Sequence, residues 1–238
     1  SSVFEKYPTS EWDIVFLGDI LHTEGTEKRW LSIEKQYIKS QTFGQEMLDE
    51  ISASFDALQL ILQKQQENPE SVFVVRGNHD DLKGSFIGTY GKYTRVGESA
   101  LFALGLEQLK PRLFKDYMVY EKTIPYLYIG HNFMCSHSVC NYAFTLDEVK
   151  LNDKQTHVSF TWTDNVYGNP RWRSRFEDNI KNLFGSDLMK YWFIGHRPCG
   201  KGELVRVQEK GRLIQCNHPR KHVVIELKPD REYEPKEL

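Results

Sequence analysis

Residues 12–17 read Trp12-Asp13-Ile14-Val15-Phe16-Leu17, a short apolar run that stops at Gly18-Asp19. Such a run, bounded by a small residue, predicts a buried strand with an acid at its C-terminal end. Residues 22–40 are polar and charged without a clear period, which predicts an excursion off the core, partly helical. In 45–66 the positions Met47, Leu48, Ile51, Phe55, Leu58, Ile61 and Leu62 recur at helical spacing, and Asn68-Pro69 ends the pattern. They predict an amphipathic helix. A second apolar strand is predicted over 71–76, ending in Gly77-Asn78-His79-Asp80. A Gly-rich loop follows, and then a helix over 98–109.

Beyond residue 110 the pattern shortens. Residues 117–121, 126–129 and 133–135 read as successive strands, the last running into Ser136-His137. The stretch 146–166 fits neither period. A helix is expected over 173–184 and an aromatic strand over 191–194, which leads into Gly195-His196-Arg197-Pro198. Residues 203–207 and 212–216 flank Lys210-Gly211 as a hairpin. A last strand is expected over 222–227, followed by a loose charged tail over 228–238. Strands and helices alternate, so the fold class is α/β.

Four of these strands therefore end alike, in a small residue followed by a side chain able to bind a metal: Gly18-Asp19, Gly77-Asn78, Ser136-His137 and Gly195-His196. Functional groups in open α/β sheets gather at the carboxyl ends of strands, so four neighbouring ends would converge. One carboxylate, one amide oxygen and two imidazoles form a mixed O/N set. It suits Mn, Fe, Zn or Co better than Ca or Mg. A cation held there would polarise a phosphoryl oxygen and lower the pKa of a bound water.

Composition narrows the class. At 238 residues with 39% hydrophobic positions, the chain is globular and long enough for one large domain. The 31 Lys+Arg against 33 Asp+Glu give a net charge of −2, so no nucleic-acid partner is expected. No apolar run reaches the roughly 20 residues of a membrane span, and no membrane partner is expected. Cys135, Cys140, Cys199 and Cys216 form no CxxC pair and read as reduced thiols of a cytoplasmic protein.

Val15-Phe16-Leu17-Gly18-Asp19 resembles the GD motif of the calcineurin-like metallophosphoesterases. Val75-Arg76-Gly77-Asn78-His79-Asp80 resembles their RGNH[DE] motif. His137 and His196 match their third and fourth motifs. The Arg before Gly77, the single His in Gly195-His196-Arg197-Pro198, and Thr161-Trp162-Thr163-Asp164 in place of a W-S-D segment resemble the phosphoprotein phosphatase branch. The resemblance implies a four-layer αββα sandwich of two mixed β-sheets flanked by helices, spanning 1–227. It implies two divalent transition metals (Mn, Fe or Zn) in the full-length protein. Asp19, Asn78, His137 and His196 would hold one of them, with Asp19 as the bridge. His79 would be the general acid, with Asp80 beside it.

The sequence also departs from that pattern. It holds no Asp-x-His, so the first metal's own ligands are expected on a strand ahead of Ser1; the competing reading is a divergent member with one metal or none. The GDxVDRG stretch reads Gly18-Asp19-Ile20-Leu21-His22-Thr23-Glu24-Gly25, without its arginine; Asp80 or Glu24 would have to replace its orienting acid. Phosphate clamping then falls to Arg171, Arg173, Arg175 or Arg197, since a guanidinium offers a planar two-donor fork. Asp19 and Asn78 lie 59 positions apart (78 − 19), which marks an insertion around 22–43, a lid or a docking element. The expected activity is hydrolysis of phosphomonoesters by metal-bound water, with phosphoserine or phosphothreonine in proteins as substrate. The alternatives are a dinucleotide polyphosphate hydrolase of the diadenosine tetraphosphate type, and a pseudo-phosphatase that binds phosphorylated partners.

Overall fold

The computed structural model describes residues 2–21, 27–82, 98–164, 170–185, 188–200, 202–218, 220–229 and 231–238. Its first half runs α1 (Ser2–Lys6), β1 (Ile14–Phe16), α2 (Glu27–Ser40), α3 (Gln45–Glu67), β2 (Val72–Val74), α4 (Glu98–Leu109) and α5 (Pro111–Tyr120). Then come β3 (Leu127–Ile129), β4 (Phe133–Ser136), α6 (Leu146–Lys150), α7 (Lys154–Thr161), α8 (Pro170–Arg173) and α9 (Phe176–Asn179). The chain ends with β5 (Tyr191–Ile194), β6 (Arg206–Gln208), β7 (Leu213–Gln215), β8 (Val223–Glu226) and β9 (Glu234–Glu237). Two compact units result: Ser1–Gly18 with Glu70–Asn78 and Pro125–Leu238, and Asp19–Pro69 with His79–Ile124.

The first unit is built on a mixed five-stranded sheet of order β3-β4-β5-β7-β6. Its three inner strands are parallel and its two outer pairings antiparallel. The period of two along these strands sorts side chains to opposite faces. Met134, Trp192, Ile194 and Leu213 join a core with Phe160, Trp172, Phe176 and Leu183, so helices cover that face. Cys135, Phe193 and Ile214 point the other way. Val15 and Leu17 of the β1 segment and Ile225 and Leu227 of the β8 segment pack against them. The second layer over that face is therefore two ribbons, parallel β1-β2 and antiparallel β8-β9. This is a mixed α/β architecture with a β-on-β layer and flanking helices.

Within the stretch 146–166, which fitted no period, the described residues 146–161 form two short capped helices; 165 and 166 lie outside the described residues. Thr145 and Glu148 form a reciprocal capping box at α6, and the Asp153 carboxylate accepts from the Thr156 N–H at α7. The expected helix over 173–184 is broken into α8, α9 and a wide turn (Ile180–Phe184) that stops at Gly185, φ 77°. The strand expected over 117–121 is instead the end of α5. Pro111 sits in the first turn, where its missing N–H costs nothing, and Phe114 and Tyr117 are buried one turn apart. The loose tail expected over 228–238 carries β9 instead. Pro235 stands opposite Ile225, and Lys236 lies 2.8 Å from the Glu226 carboxylate.

The second unit is helical. Met47, Ile51 and Leu58 of α3 pack with Trp30 and Ile33 of α2, Leu101, Phe102 and Leu106 of α4, and Phe114 and Tyr117 of α5. Gly105 lets α4 approach α3: a Cβ there would fall 2.6 Å from Met47 Cγ. Glu50 is fully buried on α3 and pairs with Arg29 of α2 at 3.2 Å. Much of the insertion expected around 22–43 is thus α2, docked on its own unit; His22 and Glu24 lie outside the described residues. Among the described residues no helix is long and apolar enough to cross a membrane.

A buried polar knot ties β2's exit to β3 and α7. The Arg76 guanidinium lies 5.6 Å over the Tyr126 ring and donates to its hydroxyl at 3.2 Å. The Tyr126 hydroxyl donates to Asn152 Oδ1 at 2.5 Å and lies 3.4 Å from His157 Nδ1. Burial, and then the Arg76 charge, push the His157 pKa down to about 3. The folded protein therefore keeps His157 neutral where the unfolded chain takes up a proton. Stability is lost as pH falls below about 6.5, at about 1.4 kcal/mol per pH unit, down to the folded value. In urea unfolding at about pH 6.5 and about pH 5, His157→Asn should lose about 2 kcal/mol less than the wild type over that interval. Equal losses would contradict this.

Candidate metal centre

β4 and β5 are parallel neighbours, with Ser136 opposite Ile194, so His137 and His196 emerge one and two residues past the same edge. β1 and β2 are likewise parallel, with Phe16 opposite Val74, and Leu17 and Asn78 follow them. At Gly18 (φ +88°) a Cβ would fall 2.5 Å from Gly77 N, so only glycine lets these two exits approach.

Asn78, His137 and His196 meet there, all buried, at 4%, 2% and 9% exposure. His137 Nε2 lies 2.8 Å and His196 Nδ1 2.9 Å from the same oxygen, Asn78 Oδ1. The rings lie edge to face, with centroids 5.1 Å apart. His137 Nδ1 lies 2.7 Å from the Leu17 carbonyl oxygen. A carbonyl can only accept, so Nδ1 carries a proton, and Nε2 is the nitrogen turned toward Asn78. His196 is held at φ +55°, a strained conformation for a residue with a Cβ, and its carbonyl accepts from Asn217 Nδ2 at 2.9 Å.

These donors fit a divalent transition metal. Two atoms each about 2.1 Å from one cation and at right angles lie about 3 Å apart, close to the spacing seen here. A backbone carbonyl holding the far nitrogen of a ligating imidazole is the usual outer support of such a site. Among the described residues no three His, Cys, Asp or Glu side chains cluster at metal-binding spacing; this cluster has two imidazoles and an amide.

In the second unit, Asp19 (φ +55°) accepts the His79 backbone N–H at 2.9 Å through Oδ1. The Asp80 carboxylate accepts the N–H groups of Asp19 and Ile20, both at 3.0 Å, and the Asp80 carbonyl accepts from the Tyr117 hydroxyl at 3.0 Å. Burial, and then the Asp80 charge, push the Tyr120 phenol up to about 12. Asp80 thus braces the turn that carries Asp19. His79 Nδ1 meets the Ser99 hydroxyl at 2.6 Å. No sequence signal marks Ser99, since a lone serine opening a helix reads as a surface residue.

The Trp-Thr-Asp segment arrives beside His196. The Trp162 and His196 ring centroids are 6.3 Å apart, and Asp164 lies 3.5 Å from Arg197 Nε. Both charged groups of that pair are half exposed. Arg173 pairs with Glu209 at 2.5 Å and Arg175 with Asp178 at 3.4 Å. The side chain of Arg171 lies outside the described residues. Of the candidate arginines that are described, Arg197 is the one whose neighbour in the chain belongs to the buried cluster. All four cysteines are buried free thiols, and burial pushes Cys135 and Cys140 up.

No family model matches the sequence, and no curated protein matches it. Among solved structures, the chain is similar to a protein serine/threonine phosphatase from Saccharomyces cerevisiae with similarity to human phosphatase PP5. The TM-score is 0.55 at 16% sequence identity, and the match covers 91% of this chain and 61% of that one. The chain thus spans about three fifths of that structure's length. At this identity the likeness is one of fold alone.

If the three donors hold a metal, Asn78→Ala and His137→Ala should each weaken Mn²⁺ binding, read by equilibrium dialysis, by at least about tenfold. Far-ultraviolet circular dichroism should remain that of the wild type. Unchanged affinity in both would remove these residues from any metal site.

Proposed function

We propose that the chain is a metal-dependent phosphoesterase acting on phosphomonoesters, with phosphoserine or phosphothreonine in proteins as its substrate. The observation that carries this reading is the convergence of His137 Nε2 and His196 Nδ1 on Asn78 Oδ1. The fold shared with a serine/threonine phosphatase supports it.

In this reading Asn78, His137 and His196 would hold a divalent Mn, Fe or Zn ion; Asp19 is the further ligand that the motif resemblance implies. The domain occupies 1–227. A cation bound there supplies Lewis acidity to the phosphoryl oxygen and lowers the pKa of a water. The rest falls to the chain's own side chains. His137 is held in one tautomer by Leu17, so its donor nitrogen needs no reorganisation. Arg197, next to His196 in the chain and 3.5 Å from Asp164 through Nε, binds phosphate oxygens. His79 gives a proton to the leaving oxygen, and the Ser99 hydroxyl fixes its ring. Water attacks phosphorus directly, without a phosphoenzyme.

Phosphate release from para-nitrophenyl phosphate and from a phosphothreonine peptide, with added Mn²⁺, tests this. Asn78→Ala and His196→Ala should lower kcat by about a hundredfold or more, and Arg197→Ala should raise KM for the peptide by about tenfold. Undiminished turnover in the first two variants would end the assignment. Phosphopeptide binding without release in the wild type would favour a binding protein. Faster turnover of diadenosine tetraphosphate than of the peptide would favour the polyphosphate reading.

A further inference from the structure

β5 and β7 run parallel with Ile194 opposite Gln215, and the Cys216 N–H donates to the Ile194 carbonyl at 2.7 Å. Past Gly195 the chain leaves the sheet, because His196 takes φ +55°, outside the extended region. The peptide groups of 196–199 therefore lose regular ladder partners, and residues 215–217 supply replacements. Asn217 Nδ2 donates to the His196 carbonyl at 2.9 Å, and Gln215 Nε2 donates to the Arg197 carbonyl. The Cys199 N–H donates to the Asn217 carbonyl at 2.7 Å, and its thiol to the Gln215 carbonyl at 3.0 Å. The turn that carries His196 and Arg197 is thus latched to the exit of β7.

Gln215 is the unexpected member of this latch. Successive side chains on a strand alternate faces, so Gln215 shares its face with Leu213, which belongs to the core under the helices. It is fully buried. A buried side-chain amide costs stability unless both its ends are paired, and Oε1 has no hydrogen-bond partner among the described residues. An aliphatic side chain of similar size would fill the position without that cost. Stability therefore does not account for a glutamine here. The bond from its Nε2 to the Arg197 carbonyl does.

Arg197 gives that bond a use. It follows His196 directly, and its half-exposed guanidinium lies 3.5 Å from Asp164 through Nε. An arginine side chain turns about several single bonds, so its head is placed only as well as the backbone beneath it. An error of about 1 Å in a group that positions substrate is costly to turnover.

We propose that Gln215 is a positioning residue for Arg197: from inside the core it fixes the Arg197 carbonyl, and so aims the guanidinium at phosphate oxygens beside the metal centre. This rests on the reading of the site as a phosphoesterase. Gln215 touches no substrate and acts through Arg197, whereas Asn217, two residues on, acts on His196.

A double-mutant cycle on the whole chain tests it, with a phosphothreonine peptide as substrate and saturating Mn²⁺. Gln215→Met keeps the length of the side chain and removes the amide; Gln215→Leu is used instead if the methionine variant lacks the circular dichroism of the wild type. The substitution should raise KM about fivefold, with kcat changed less than about twofold and Mn²⁺ affinity, by equilibrium dialysis, within about twofold. In an Arg197→Ala background it should change KM by less than about 1.5-fold, because the group it aims is gone. An unchanged KM in the single variant would overturn the proposal. So would the same KM factor in both backgrounds, which is the mark of a structural residue, or a loss of Mn²⁺ affinity large enough to explain the change. A wild type without Mn²⁺-dependent phosphate release would end the phosphoesterase reading and this inference with it. An active wild type with additive effects would end this inference alone.

Discussion

The arrangement depends on one constraint: His137 Nε2 and His196 Nδ1 are turned onto a single amide oxygen, that of Asn78, inside a buried pocket. Lone pairs that face one another in a dry site repel unless a cation or a proton stands among them. The backbone enforces the juxtaposition. Parallel β4 and β5 put both imidazoles at one edge, the Leu17 carbonyl fixes the first ring, and a strained φ of +55° at His196 directs the second. Strain of that kind persists where surrounding structure over-determines it, as at ligand-binding sites.

The same logic explains which parts of the molecule were legible in the sequence. Runs such as 191–194 and 133–135 carry β-branched and aromatic residues between turn signals, and they became β5 and β4 with side chains sorted to both faces. The helix over 45–66 declared itself by period and became α3, one residue longer. Segment 117–121 misled because Tyr117-Met118-Val119-Tyr120 has strand-like composition, while Pro111 six positions earlier had already started a helix. The charged tail hid β9, because a strand whose partner is one edge ribbon needs no apolar pattern: Lys236 reaches the Glu226 carboxylate and Pro235 takes a position without a ladder bond.

The site was legible in part for the same reason. A small residue before a polar one at a strand end is a local signal, and it singled out Asn78, His137 and His196. The supports are not local. The Leu17 carbonyl, the Asn217 amide and the Ser99 hydroxyl lie far along the chain from the groups they hold, and none differs in type from residues elsewhere. The roles of the arginines could not be separated by sequence either. Arg173, Arg175 and Arg197 each pair with an acid at the surface, and what sets Arg197 apart is that it follows His196 directly in the chain. Arg76, read only as a motif letter, is a buried structural cation packed on Tyr126.

Nitrogen-15 NMR of the imidazoles, with and without Zn²⁺, bears most directly on the shared-cation claim. Zinc is diamagnetic and its imidazole complexes are well defined, so each ring nitrogen can be followed separately. The account expects His137 Nε2 and His196 Nδ1 to shift together on addition of one equivalent, while His137 Nδ1 keeps its proton against Leu17. Shifts confined to other histidines, or none at all, would contradict it.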